Sequence, residues 1–175
     1  ETDGNTILKL AEENDYCFAE VDNLGSYNKK NGYIDKHIDE VLKLKLVDAE
    51  LINKANFRVV VDAVNSTGGL AIPNLLDRLG VECIKLYCDP TGEFPHNPEP
   101  LSEHLTEISQ KVVKEKADLG IVVDPDVDRL AIVCEDGSMF GEEYTLVACA
   151  DYVLGKTPGN TVSNLSSSRA LKDGT

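Results

Sequence analysis

Apolar positions change period along this chain, and the change marks where its folded core begins. Thr6–Glu13 suits a short helix, and Asp22–Gly25 with Asn28–Gly32 forms a polar, turn-rich connection. Ile34, Ile38, Val41, Leu42, Leu46, Leu51 and Ile52 recur at helical spacing and predict one or two helices between Ile34 and Lys54, interrupted near Val47-Asp48. From Phe57 onward strands alternate with helices. Arg58–Asp62, with Val59-Val60-Val61 at its centre, reads as a buried strand, and Asn65–Gly69 as a turn into a helix running through Leu79, with Gly80 as its C-terminal cap. Pro73 falls in the first turns of that helix, where a missing N–H is tolerated. Val81–Tyr87 is a second strand, Cys88–Pro100 with its four prolines a loop, and Leu101–Lys116 an amphipathic helix with Leu105, Ile108, Val112 and Val113 on its core face. Asp118–Val123 is a third strand. Beyond it, Leu130–Cys134 and Ser138–Phe140 flank Asp136-Gly137 as a hairpin, and Glu142-Glu143 open a helix to about Leu154. Thr161–Leu165 reads as a further strand and Ser166–Leu171 as a helix start.

Strand, helix, strand, helix, strand in this order predicts an α/β fold: a three-layer sandwich with a mainly parallel sheet and helices on both faces. In such sheets ligands gather at the carboxyl ends of the strands. The 175 residues accommodate one ordinary domain together with pieces of its neighbours, and both ends, Glu1 and Asp173-Gly174-Thr175, read as cut rather than finished.

Charge narrows the partners. Seventeen basic against 31 acidic residues give a net charge of −14, which repels nucleic acid and anionic membrane. A chain this acidic handles phosphate only through a local cation or arginine. The five cysteines are odd in number and show no C-x-x-C spacing, so a reduced, cytoplasmic setting with inert core thiols is expected. No apolar stretch approaches the roughly 18 residues of a membrane helix.

The densest chemistry lies in Asp124-Pro125-Asp126-Val127-Asp128-Arg129, three carboxylates and a guanidinium between the apolar runs Leu119–Val123 and Leu130–Val133. Side chains at i, i+2 and i+4 of an extended segment share a face, and a modest curl brings such carboxylates onto one cation. Hard oxygen donors suit Mg²⁺ or Ca²⁺. Arg129 beside them relieves their repulsion or grips a phosphate that the metal also touches. A solvated acidic turn is the plainer reading, but carboxylates crowded at the ends of buried strands call for a cation or hydrogen-bond donors. An EF-hand fits poorly: Asp124, Asp126, Asp128 and Glu135 occupy its positions 1, 3, 5 and 12, yet Arg129 stands where the sharp turn needs glycine and the flanks read as strands.

Three segments taken in order, Val59–Gly69, Phe94-Pro95-His96-Asn97-Pro98-Glu99-Pro100, and Ala117–Gly120 leading into Asp124–Arg129, resemble the second domain of the phosphohexomutases, the phosphoglucomutase and phosphomannomutase enzymes. The likeness runs from about Phe57 to Leu154. It implies that residues 1–55 are the end of the first mutase domain with a linking helix, 56–155 the second domain with its metal loop, and 156–175 the start of the third. It further implies a Mg²⁺-dependent enzyme that moves a phosphoryl group between a phosphoserine and a hexose phosphate. Asp124, Asp126 and Asp128 then carry over as metal ligands and Arg129 as the phosphoryl contact, with the domain packed against the other mutase domains.

Two departures from the family pattern stand out. The family loop usually has glycine where this chain has Pro125, which fixes φ and removes an N–H. No nucleophile loop of the Ser-His-Asn-Pro type is present, since Pro95 stands before His96-Asn97-Pro98 where the serine would be. The segment alone is therefore expected to be inactive. Asn65-Ser66-Thr67 reads as a helix cap and Ser166-Ser167-Ser168 as another. A different Mg²⁺-dependent phosphotransferase or phosphatase with a nucleophilic aspartate, and an acidic module that docks a basic partner, are the alternatives.

Overall fold

A computed structural model of the chain describes all residues except 142, 143, 166, 168 and 175. Two compact units are present, Glu1–Gly32 and Tyr33–Thr175. The first holds α1 (Thr2–Glu12) and a single 3₁₀ turn at Val21–Asn23. No residue of α1 is buried, and Ile7 and Leu8 are exposed.

The second unit opens with α2 (Tyr33–Leu42) and α3 (Ala49–Ala55), so the helical periodicity is indeed broken ahead of Asp48, whose carboxylate caps α3 by accepting from the Leu51 N–H at 2.9 Å. Then follow β1 (Arg58–Asp62), α4 (Gly68–Arg78), β2 (Glu82–Leu86), α5 (Thr106–Glu115), β3 (Leu119–Val123), β4 (Leu130–Cys134), α6 (Tyr144–Lys156) and α7 (Ala170–Gly174). The four strands form one sheet in the order β2-β1-β3-β4, with β1 parallel to both β2 and β3, and β4 antiparallel to β3.

The valine run of β1 is explained by its central place, because a strand covered on both faces has no solvent side to keep polar. Val60 packs with Leu105, Ile108 and Val112 on one face. Val59 and Val61 point the other way, onto Leu76 of α4 and Leu79 just after it, with Leu42, Ala49 and Ile52 of the preceding helices packed behind. The predicted three-layer α/β sandwich with a mainly parallel sheet is thus the fold observed. Asn74 donates to Asp35 at 2.7 Å and Arg78 pairs with Asp39 at 2.6 Å, which holds α2 against α4.

Three expectations change. The helix expected from Leu101 begins as a 3₁₀ turn at Ser102–His104, and α5 proper starts at Thr106. Val113 is half exposed, because Leu105, Ile108 and Val112 already fill the inward stripe and the next residue is rotated about 100° from it. Thr161–Leu165 forms no strand: Val162 and Leu165 are fully exposed, and a strand is stable only when paired with another strand, of which none lies against this stretch among the described residues. The hairpin after β4 forms, although its second arm is a single bridge from Met139 to Val133, closed by Gly137 at φ +84°. The expected helix start at Glu142-Glu143 and two of the three serines at 166–168 lie outside the described residues. Among the described residues no helix is long and apolar enough to cross a membrane.

Candidate metal centre

Because β1, β2 and β3 are parallel, their carboxyl ends share one edge of the sheet, and each delivers a loop there. The loop after β3 carries the acidic residues. Asp124 is buried, 6% exposed, while Asp126 and Asp128 are solvent-facing. One carboxylate oxygen from each of the three lies within 4.8 Å of the others. The curl that gathers them is tighter than a bent strand: Val127 adopts φ +64° and its N–H donates to the Asp124 carbonyl at 3.2 Å. Flanking strands rather than helices exclude the EF-hand arrangement.

The loop's charge is balanced from several sides. Burial pushes the Asp124 carboxyl up, but the Arg129 N–H donating at 3.0 Å, together with hydrogen bonding to Asp126 and Asp128, outweighs it and holds the group below the usual carboxylate range. Asp128 is pushed the other way, by its hydrogen bond with Asp124 and then by the charge of Asp126. The group that fits this mutual repulsion is a hard divalent cation, for which three carboxylate oxygens in one focus are suitable donors.

Arg129 lies beside this focus but spends its guanidinium on the loop after β2. It pairs with Glu99, and its Nε is 4.0 Å from Asp128. Glu99 and Arg129 also line a cleft of about 380 Å³ with Leu101, Ala131 and Thr145. Nothing in the sequence marks Glu99 as the partner of Arg129. It stands between Pro98 and Pro100, 30 residues from its partner, where no local pattern announces a pairing.

The same proline-rich loop is anchored by His96. Its Nε2 is 3.0 Å from Oδ2 of Asp62, a carboxylate only 1% exposed at the end of β1, and its Nδ1 is 2.8 Å from the Asn97 carbonyl. Both ring nitrogens are thereby engaged, which makes His96 a latch rather than a group offered to substrate. Burial pushes the Asp62 carboxyl up, against the pull of the Val64 N–H and of His96. Tyr87 stacks edge-on to His96 and donates to Glu107 at 2.5 Å, a bond that pushes the phenol up to about 12. Since the folded value lies above the ordinary 10, stability from this bond is present below pH 10 and lost as pH rises through about 12. Ultraviolet titration near 295 nm should therefore show a late-ionising component that is absent in Tyr87→Phe and shifted back toward 10 in Glu107→Gln; an unchanged curve in Tyr87→Phe would refute the assignment.

The turn after β1 departs from its expected role. Ser66 and Thr67 do not cap α4. Both hydroxyls instead donate to the Pro125 carbonyl, at 2.8 and 2.9 Å. Val64 and Asn65 just before them have φ +46° and +54°, an uncommon conformation for a buried β-branched residue. It is sustained by the Val64 N–H donating to Asp62 at 2.9 Å and the Asn65 N–H donating to the Tyr87 carbonyl at 2.7 Å.

The comparisons with known proteins agree with this architecture. The family model described as phosphoglucomutase/phosphomannomutase, alpha/beta/alpha domain II, matches residues 35–137. A phosphoglucomutase/phosphomannomutase of Thermococcus kodakarensis is 34% identical over 169 residues, which is 95% of this chain and 36% of that protein. A phosphomannomutase/phosphoglucomutase of Pseudomonas putida is 36% identical over 124 residues, 70% of this chain and 26% of that one. Among solved structures, a phosphoglucomutase/phosphomannomutase family protein from Burkholderia thailandensis superposes with a TM-score of 0.74 at 26% identity, covering 99% of this chain and 37% of its own. The chain thus spans about a third of the length of such relatives. With the model covering more than half its length and the fold in register, the chain belongs to the phosphoglucomutase/phosphomannomutase family and carries its α/β/α domain II.

Proposed function

We propose that this chain supplies the metal-holding loop of a phosphohexomutase, an enzyme that moves a phosphoryl group between a phosphoserine and a hexose phosphate. The observation that carries the reading is the convergence of Asp124, Asp126 and Asp128 within 4.8 Å, next to Arg129, at the carboxyl edge of a domain of this family. These three residues would hold Mg²⁺. A divalent cation there supplies positive charge against the non-bridging oxygens of a transferring phosphoryl group, the dominant need in such chemistry.

The chain's own side chains do the rest. Arg129 offers a second positive charge from the same loop, once its guanidinium exchanges Glu99 for phosphoryl oxygen. Asp62 and His96 keep the proline-rich loop seated at the rim while this exchange occurs. In the parent protein, residues 1–55 would close the first domain, 56–155 form the second and 156–175 enter the third, each packing on its neighbours in a cytoplasmic enzyme whose five free thiols suit a reducing milieu.

With the serine nucleophile outside this segment, the pure chain should give no glucose 6-phosphate from glucose 1-phosphate in a coupled assay. Measurable turnover would refute the assignment of the nucleophile elsewhere. Titration with Mn²⁺ tests the metal loop directly: uptake lost in Asp126→Asn supports it, and uptake indifferent to that change overturns it.

A further inference from the structure

We infer that Ser66 and Thr67 are positioning residues for the aspartate loop, acting through the Pro125 carbonyl. The inference rests on the reading of Asp124, Asp126 and Asp128 as cation ligands and deepens it by naming what sets their geometry.

A carbonyl oxygen has two lone pairs, and here two hydroxyls from another element occupy them, Ser66 at 2.8 Å and Thr67 at 2.9 Å. The carbonyl belongs to the peptide joining Pro125 to Asp126. Fixing the plane of that peptide fixes the N–Cα bond from which the Asp126 side chain hangs, and so narrows its directions relative to Asp124 one residue before Pro125. Pro125 cannot anchor itself, because it has no N–H and its only backbone polar group is this carbonyl. Across the turn, Val127 is held at φ +64°, a conformation a β-branched residue adopts only when its surroundings impose it.

The donors themselves are rigidly placed. Ser66 N–H donates to the Ala63 carbonyl at 2.8 Å, and the Ser66 and Thr67 carbonyls accept from Gly69 and Leu70, each at 3.0 Å. Gly68 lies so close to β3 that a Cβ there would stand 2.5 Å from Cγ2 of Val123, the residue before Asp124. The start of α4 and the end of β3 are therefore packed against each other, and the two hydroxyls extend that contact into the loop. Such outer partners of a ligand set commonly change metal affinity about 10–100-fold when removed.

The test is Mn²⁺ binding to the 175-residue chain, followed by electron paramagnetic resonance, with ¹³C labelling to read the Pro125 carbonyl resonance. Ser66→Ala/Thr67→Val should raise the Kd about tenfold and move the Pro125 resonance upfield, whereas Thr67→Ser should stay within about twofold of the parent. A role in stability alone would lower the melting temperature but leave the Kd in place. If the double variant does not fold, the single variants decide, each expected to weaken binding about threefold. A shifted Pro125 resonance with unchanged Kd overturns the inference while leaving the metal loop intact, provided Asp126→Asn still abolishes binding. Equal Mn²⁺ uptake by the parent chain and Asp126→Asn would sink the metal loop itself, and the positioning role with it.

Discussion

Replacing Asp128 with asparagine should raise the melting temperature of the chain in EDTA and at the same time remove most of its affinity for Mn²⁺ or Mg²⁺. The two effects have opposite sign because the same charge acts differently in the two states. Without a cation, Asp128 sits beside Asp124 and Asp126, and its pKa is raised in the folded chain by the hydrogen bond with Asp124 and the charge of Asp126. A carboxyl whose folded pKa is raised contributes stability at low pH that is lost as pH rises through the folded value, so at neutral pH its ionised form is a cost. Asparagine removes that cost. It also removes one of three anionic donors, and losing a direct ligand should exceed the roughly 10–100-fold typical of an outer partner.

Asp124→Ala should behave differently. Its carboxylate accepts the Arg129 N–H at 3.0 Å and its pKa is lowered, so its contribution is present above the ordinary carboxylate value and lost as pH falls through the folded one. Removing it should destabilise the cation-free chain by about 1–2 kcal/mol, through the unsatisfied N–H, and abolish cation binding as well. Thermal melts with and without Mn²⁺ distinguish the pair, and an Asp128→Asn chain that melts lower in EDTA would contradict the repulsion argued for the loop. Submicromolar Mg²⁺ affinity in the parent chain would also count against a site that awaits a phosphoryl oxygen to complete its coordination.

How much of this was legible from sequence follows the range of each interaction. The valine run of β1 reads correctly because burial on both faces leaves its mark on adjacent residues. The aspartates read as one group because they sit within five positions of each other. What surrounds them does not read, since it is assembled across the sheet edge: Thr67 and Ser66 reach a carbonyl 58 and 59 residues away, and Asp62 meets His96 across 34. Serine and threonine ahead of a helix are usually caps. Here the Pro125 carbonyl takes both hydroxyls, and the local rule gives way to a tertiary contact. Thr161–Leu165 errs for the complementary reason, because β-propensity says nothing of whether an adjacent strand exists.

Gly69→Ala should be the most damaging small substitution in the domain, at about 3 kcal/mol or roughly 10 °C in melting temperature, although alanine is the better helix former. A Cβ at this position would lie 2.1 Å from the Cys88 carbonyl oxygen, 2.6 Å from its carbon and 2.8 Å from its Cα. All three are backbone atoms, so no side chain can swing aside. Relief requires α4 to lift from the sheet or the chain after β2 to move outward. The second route is costly because the preceding Tyr87 carbonyl accepts the Asn65 N–H at 2.7 Å and the Cys88 side chain is buried against Val61 and its neighbours. The first would draw Ser66 and Thr67 away from Pro125. Either movement reaches the metal loop, so Gly69→Ala should also weaken Mn²⁺ binding without touching a ligand. Gly155 in α6 supplies the control: nothing lies within 4 Å of its would-be Cβ, so Gly155→Ala should stabilise by about 0.5–1 kcal/mol. Equal melting temperatures for the two variants would mean that the close approach of α4 to Cys88 is not a constraint on this fold.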